Sequence, residues 1–183
     1  MLTLTKDPKV SKTTTLPTLF LWFMFYSVFG WVWESIVVSI EFGYWTNRGF
    51  LFGPLLPIYG TGAVLALVIL SKRIQSLPLL FLAGGAIATI LEYITSAALE
   101  LIFNQRWWDY SQHRFHLHGR VSLLATVVFG VMIVLLIKVV HPHVERLTDR
   151  ISDGTRQMLA LGLVGVIAVD FLVTVVGLVT VSY

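Results

Sequence analysis

The sequence predicts an all-α, polytopic membrane helix bundle with about five transmembrane helices, the N-terminus inside and the C-terminus outside. Three observations predict it. Of 183 residues, 56% are hydrophobic and 13% charged, about half the ~25% charge of soluble domains. Mean hydropathy is +0.82. Five apolar segments, at 17–40, 54–71, 78–103, 120–140 and 157–180, each approach or exceed the ~20 residues that cross a bilayer as a helix.

Residues 1–15, MLTLTKDPKVSKTTT, read as a polar tail, and 16–183 as a single transmembrane domain. The first apolar run continues through Trp31, Trp33 and Glu34 without a small-residue cleavage site, so it reads as a retained span and not a signal peptide. The second segment is the shortest. Pro57 and Gly60 near its start point to a tilted or partly irregular crossing.

Orientation follows from the basic residues flanking the spans. With five spans, the tail and the connections at 71–77 and 141–156 share one side, which holds Lys6, Lys9, Lys12, Lys72, Arg73, Lys138, Arg146, Arg150 and Arg156. Arg48, Arg106, Arg114 and Arg120 lie on the other. The bias puts the N-terminus inside. Both aromatic-rich connections, 41–53 and 104–119, then emerge on the outer face. They could form one site.

The two halves echo one another. Glu34 leads through Trp45 to NRG at 47–49, and Glu92 leads through Trp107 and Trp108 to HGR at 118–120. Two spans separate the units, so a duplication would be parallel, a kind that transporters use.

An ionisable group within a span costs at least ~2.5–3.5 kcal/mol, so it should face protein or water and have a partner. Glu34 shares a helix face with Gly30, Trp31, Val38 and Glu41, an acidic line toward the outer loop. Its bland alternative is a buried acid tied to an indole or an amide. Glu92 stands on a stripe with Thr89, Thr95 and Ser96, residues that also suit plain helix packing. Glu100 is nearer the interface and within reach of Arg106. Asp170 sits mid-span and needs a partner from another helix; Arg48 or Arg120 would serve, in a structural pair or a proton relay.

In NRGFLFGPLLPIYG, Arg48 offers a planar fork for carboxylate or phosphate, Gly49 and Gly53 allow close backbone approach, and Pro54 suits a first helical turn whose amides would favour an anion. Spacing alone favours a rigid re-entry turn in which Gly and Pro merely reverse the chain. In RWWDYSQHRFHLHGR, Trp107, Trp108 and Tyr110 suit an interfacial belt, and Asp109 could pair with Arg48, Arg106 or Arg120. His113, His116 and His118 are weak metal candidates, since no helix fixes their geometry. His141 and His143 read as connection residues.

Some classes are excluded. With no cysteine, disulfides and thiolate metal sites are absent. The net charge of +3 is scattered beside apolar runs, which suits membrane lipids and not nucleic acid. No GxSxG, Walker A or HExxH pattern occurs, so neither a cofactor nor an ATPase domain is expected in this chain.

The stretches FGWVWES, NRGFLFGPLLPIYG, LEYITSAALELIFNQRWWDYS and HGRVSLLATVVFG together resemble the bacterial integral membrane family called putative ABC-transporter type IV, CmpB-like, over about residues 20–140. The family's motif positions fall on Glu34, Asn47, Arg48, Gly49, Gly53, Pro54, Pro57, Tyr59, Gly60, Glu92, Trp108, Asp109, Tyr110, Gly119 and Arg120. The sequence departs just before Gly119, with His118 where the pattern has Asn.

The resemblance implies a permease-like protein of the bacterial inner membrane. Five spans give few surfaces to enclose a pathway, so a homo-oligomer or a partner membrane subunit is expected. An ABC permease would also need a separate ATPase chain. Candidate binding residues are Glu34, Asn47, Arg48, Tyr59, Glu92, Asp109, Arg120 and Asp170. Glu34, Glu92 and Asp170 would handle protons or cations, while Arg48 and Arg120 hold an anionic group. Two alternatives use the same residues: an enzyme acting on a lipid-linked anionic substrate, or a non-catalytic subunit in which these charges only pair helices.

Overall fold

The structure, a computed structural model, describes residues 14–181; all but the last two residues of the expected polar tail lie outside them. Helix α1, Leu16–Phe42, opens with proline in its first turn. It closes at Gly43, whose φ of 75° lets its amide reach Ser39 O. Helix α3 spans Leu77–Phe103 and stops at Asn104, also left-handed with φ 52°. Helix α4 begins at Leu123, where the Ser122 hydroxyl accepts from the Ala125 amide. The long final helix, α6, spans Asp153–Val181.

Two elements depart from the segments read in sequence. Helix α2 starts at Pro57, not at Pro54, and runs only to Ile69. Its 13 residues rise about 20 Å, short of the ~30 Å hydrocarbon core. The preceding segment covers the remaining depth: the Leu56 amide donates to Ser27 O, near the middle of α1. Leu51, Leu55 and Leu56 are buried. Residues 49–56 therefore descend from the loop end into the bundle as irregular chain, which lipid tolerates only where protein covers it.

The fourth crossing is longer than its apolar run. After α4, Leu123–Leu135, a π-helical turn at Leu136–Val140 leads directly into α5, His141–Asp149. Pro142 has no amide to give Lys138 O, and the His141 amide bonds to Leu136 O five residues back. Most of the connection expected at 141–156 is therefore helix.

Leu16–Phe42, Leu77–Phe103, Leu123–Asp149 and Asp153–Leu178 are each long and apolar enough to cross a membrane. With Pro57–Ile69 they make five helices, and the only strands among the described residues are β1, His116–Leu117, and β2, Val121–Ser122.

The helices pack as two antiparallel pairs, α1 with α2 and α3 with α4. Glycine permits both close approaches. A Cβ on Gly30 would run into the Tyr59 ring, and one on Gly84 would lie 2.7 Å from Ile133 Cγ2. Trp22, Tyr26, Ala66, Leu67, Leu80, Ile133 and Ile137 form the core between the pairs. Helix α6 leans mainly on α1 and leaves Leu161, Val166, Val169 and Leu172 exposed on a surface suited to lipid.

At the end away from the long connections, side chains tie α1 to the later helices. Trp22 Nε1 donates to Thr148 Oγ1 at 3.1 Å, and Tyr26 Oη lies 3.0 Å from His141 Nδ1. Buried Arg156 donates to Thr18 and Asp153.

Candidate functional site

The two long connections meet, as their shared face in the sequence allows. Arg48, carried inward by the descending segment, donates Nε and Nη2 to Glu34 Oε1 at 3.2 and 3.1 Å. Its Nη2 also donates to Trp107 O at 3.3 Å, so one guanidinium joins α1 to both connections. The Glu34 and Arg48 side chains remain 25% and 23% exposed. Phe50 packs beside them against Phe103, Trp107 and Phe171.

Glu92 lies on α3, within electrostatic reach of Glu34. It is 5% exposed. Tyr110, folded back from the α3–α4 hairpin, donates its hydroxyl to Glu92 Oε1 at 2.8 Å. Oε2 is buried without a hydrogen-bond partner among the described residues. Burial first, then the Glu92 charge and the bond to it, push the Tyr110 hydroxyl up and keep it the donor. Tyr59, in the first turn of α2, stands close to Glu34 and within electrostatic reach of Glu92 and Tyr110. Five groups thus converge from α1, the descending segment, α2, α3 and the hairpin: Glu34, Arg48, Tyr59, Glu92 and Tyr110.

The other candidates lie apart. Arg120 Nη2 donates to Glu100 Oε2 at 2.6 Å, and Arg106 Nε to Glu100 Oε1 at 3.0 Å. Asp109 pairs with none of the three arginines through a hydrogen bond; it accepts from the Ser111 amide and hydroxyl at 2.9 and 3.1 Å. Those bonds hold its carboxyl below the usual carboxylate range. Asn47 Oδ1 accepts from Trp31 Nε1 at 2.7 Å and steadies the start of the descent.

Asp170 finds backbone, not arginine. Its carboxylate accepts from the amides of Phe52 at 3.1 Å and Gly53 at 3.0 Å, and Thr174 Oγ1 also accepts from Phe52. A Cβ on Gly53 would stand 2.7 Å from Asp170 Oδ2, so glycine lets α6 hold the segment this closely.

Each of the three hairpin histidines has its own Nδ1 partner. His113 meets Ser122 Oγ, His116 accepts from the Gly119 amide, and His118 meets Tyr93 Oη. Among the described residues no three His, Asp or Glu side chains are grouped to hold a metal.

Residues 21–175 match the family described as putative ABC-transporter type IV. The chain belongs to this family. No curated protein and no solved structure matches it. Family membership and four membrane-capable helices together make it a multi-pass, membrane transport-related protein. The ABC-transporter type IV match extends past residue 140 into α6 and includes Asp170 and Thr174. It therefore covers every group of the central cluster and the residues that clamp its loop.

The echo between the halves takes a modified form. Each helical pair carries a glutamate paired with arginine at its connection, Glu34 with Arg48 and Glu100 with both Arg106 and Arg120. The acid paired in the second half is Glu100, which leaves Glu92 to Tyr110. Tyr110 stood among the motif positions but not among the candidate binding residues, because a tyrosine beside two tryptophans reads as interfacial belt. Its place in the WWDYS stretch was the available signal.

Proposed function

We propose that this chain is a permease-like protein of the bacterial inner membrane that moves a small solute or ion through the cluster of Glu34, Arg48, Tyr59, Glu92 and Tyr110. The observation that carries the proposal is Glu92, an acid 5% exposed and bonded through one oxygen only, in a bundle where irregular chain descends to mid-depth. Acids inside a span mark ion and proton routes, and interrupted helices at mid-depth line transporter sites. The hairpin closes over Glu92 through Tyr110, and Arg48 links that hairpin to Glu34.

Five helices give little surface to enclose a route, so the working unit is a homo-oligomer or includes a partner membrane subunit. If it acts as an ABC permease, the ATPase is a separate chain that docks at α5 and Arg150–Ser152. Co-purification of an ATPase tests that part.

An enzyme on a lipid-linked anionic substrate would need uncommitted arginines. Arg48 and Arg120 each hold a carboxylate, which favours the permease reading. Reconstituted protein screened against a solute panel tests it. Glu34→Gln and Glu92→Gln should abolish flux that Glu100→Gln retains. Unchanged uptake and lipid profiles with lower protein abundance would instead leave these charges a purely structural role.

A further inference from the structure

The central cluster does not balance in charge. Glu34 and Arg48 neutralise each other at 3.1 Å, which leaves Glu92 with only the neutral Tyr110 hydroxyl as donor. The ionisable groups around Glu92 are Tyr110 from the hairpin, Glu34 from α1, Tyr59 from α2 and Arg48 from the descending segment. Helix α4, packed on α3, has no ionisable residue between Leu123 and Leu135. A carboxylate in this position is stable only when it carries a positive charge of its own, because an unpaired buried ion costs several kcal/mol. Tyr110 occupies Oε1, so that charge meets Oε2. One turn along the same face, Ser96 is also buried.

We propose that Glu92 is the charge-bearing subsite of the permease and binds a monovalent cation, an alkali ion or a primary ammonium, in exchange for a proton. The exchange balances as Glu92–H plus cation giving the Glu92 carboxylate–cation pair plus one released proton. It rests on the permease reading for its biological use, but binding can be measured without transport.

The test uses the purified full chain in weakly buffered detergent with a pH indicator. Sodium, potassium and methylammonium chlorides are each titrated against N-methylglucamine chloride at constant ionic strength. At least one should release protons saturably, up to about one per chain at the most favourable pH. Comparing the alkali and ammonium arms separates the two kinds of cation. Glu92→Gln should abolish release, Glu92→Asp should restore it, and Glu100→Gln should leave it unchanged.

The proposal is overturned if none of the three cations gives saturable release, or if folded Glu92→Gln releases as the wild type does. It is overturned as well if release follows the anion when chloride is replaced by sulfate at constant sodium. Should Glu92→Gln fail to fold, the wild-type cation and anion arms still decide. Loss of flux in Glu92→Gln without any cation-linked proton release would refute the cation subsite and leave the permease reading standing. Cation-linked release without flux of any solute would do the reverse.

Discussion

Replacing Asp170 by alanine tests whether α6 holds the descending segment in place. The substitution removes the acceptor for the Phe52 and Gly53 amides at 3.1 and 3.0 Å. Phe52 keeps Thr174 Oγ1 at 3.3 Å, while Gly53 loses its recorded acceptor. Stranding one amide away from water costs about 1–3 kcal/mol, and interhelical hydrogen bonds in membranes average ~0.6 kcal/mol with a ceiling near ~1.7. Together these give about 1.5–5 kcal/mol against the closed segment. At 1.4 kcal/mol per factor of ten, local opening should become at least roughly tenfold more frequent.

The chain has no cysteine, so one introduced at Leu51, 5% exposed, reports that opening through its rate of maleimide labelling. The comparison is Leu51→Cys alone against Leu51→Cys with Asp170→Ala, which cancels any cavity the cysteine itself creates. Asp170→Asn keeps one acceptor and should fall between them. Equal labelling rates in all three proteins would refute the clamp.

The remaining predictions concern the same framework. Glu34→Gln and Arg48→Gln should each destabilise the protein in detergent by about 1 kcal/mol, with a double-mutant coupling of roughly 0.5–1.5 kcal/mol for this partly exposed pair, read by thermal unfolding. Gly30→Ala should cost about 1–3 kcal/mol because its Cβ meets the Tyr59 ring, whereas Gly154→Ala, which meets nothing within 4 Å, should stay within about 0.5 kcal/mol. The Asp109 carboxyl is depressed in the folded hairpin, so its contribution is present above the ordinary Asp value of ~3.9 and is lost as pH falls through the lower folded value. The protection factor of the Ser111 amide, its exchange relative to the intrinsic rate at each pH, should fall in that acid range in the wild type, and Asp109→Asn should remove this change in protection.

The sequence made the membrane class, the apolar segments and the shared face of the two long connections legible, because each depends on composition and chain order. Glu34, Arg48 and Glu92 stood out for a related reason, since charge among apolar residues is visible without coordinates. The depth of the 49–56 segment was not legible: it depends on a bond from the Leu56 amide to Ser27 O, and backbone donors have no signature in the sequence. Asp170 escaped correct pairing for the same reason, its partners being amides where a search for charges returns only arginines. The 141–156 stretch read as a connection, yet a π-helical turn absorbs Pro142 and the helix continues to Asp149. Pro54 looked like a helix start, but Pro57 takes that place.

The central claim is that ligand binds at the Glu34–Arg48–Glu92 cluster. Thermal shift of the purified chain across a panel of solutes and lipids, run in parallel on wild type, Glu92→Gln and Glu100→Gln, tests it most directly. At least one solute should raise the melting temperature of the wild type and of Glu100→Gln while leaving Glu92→Gln unmoved. If every stabilising solute shifts Glu92→Gln as far as the wild type, the ligand binds elsewhere and the claim fails.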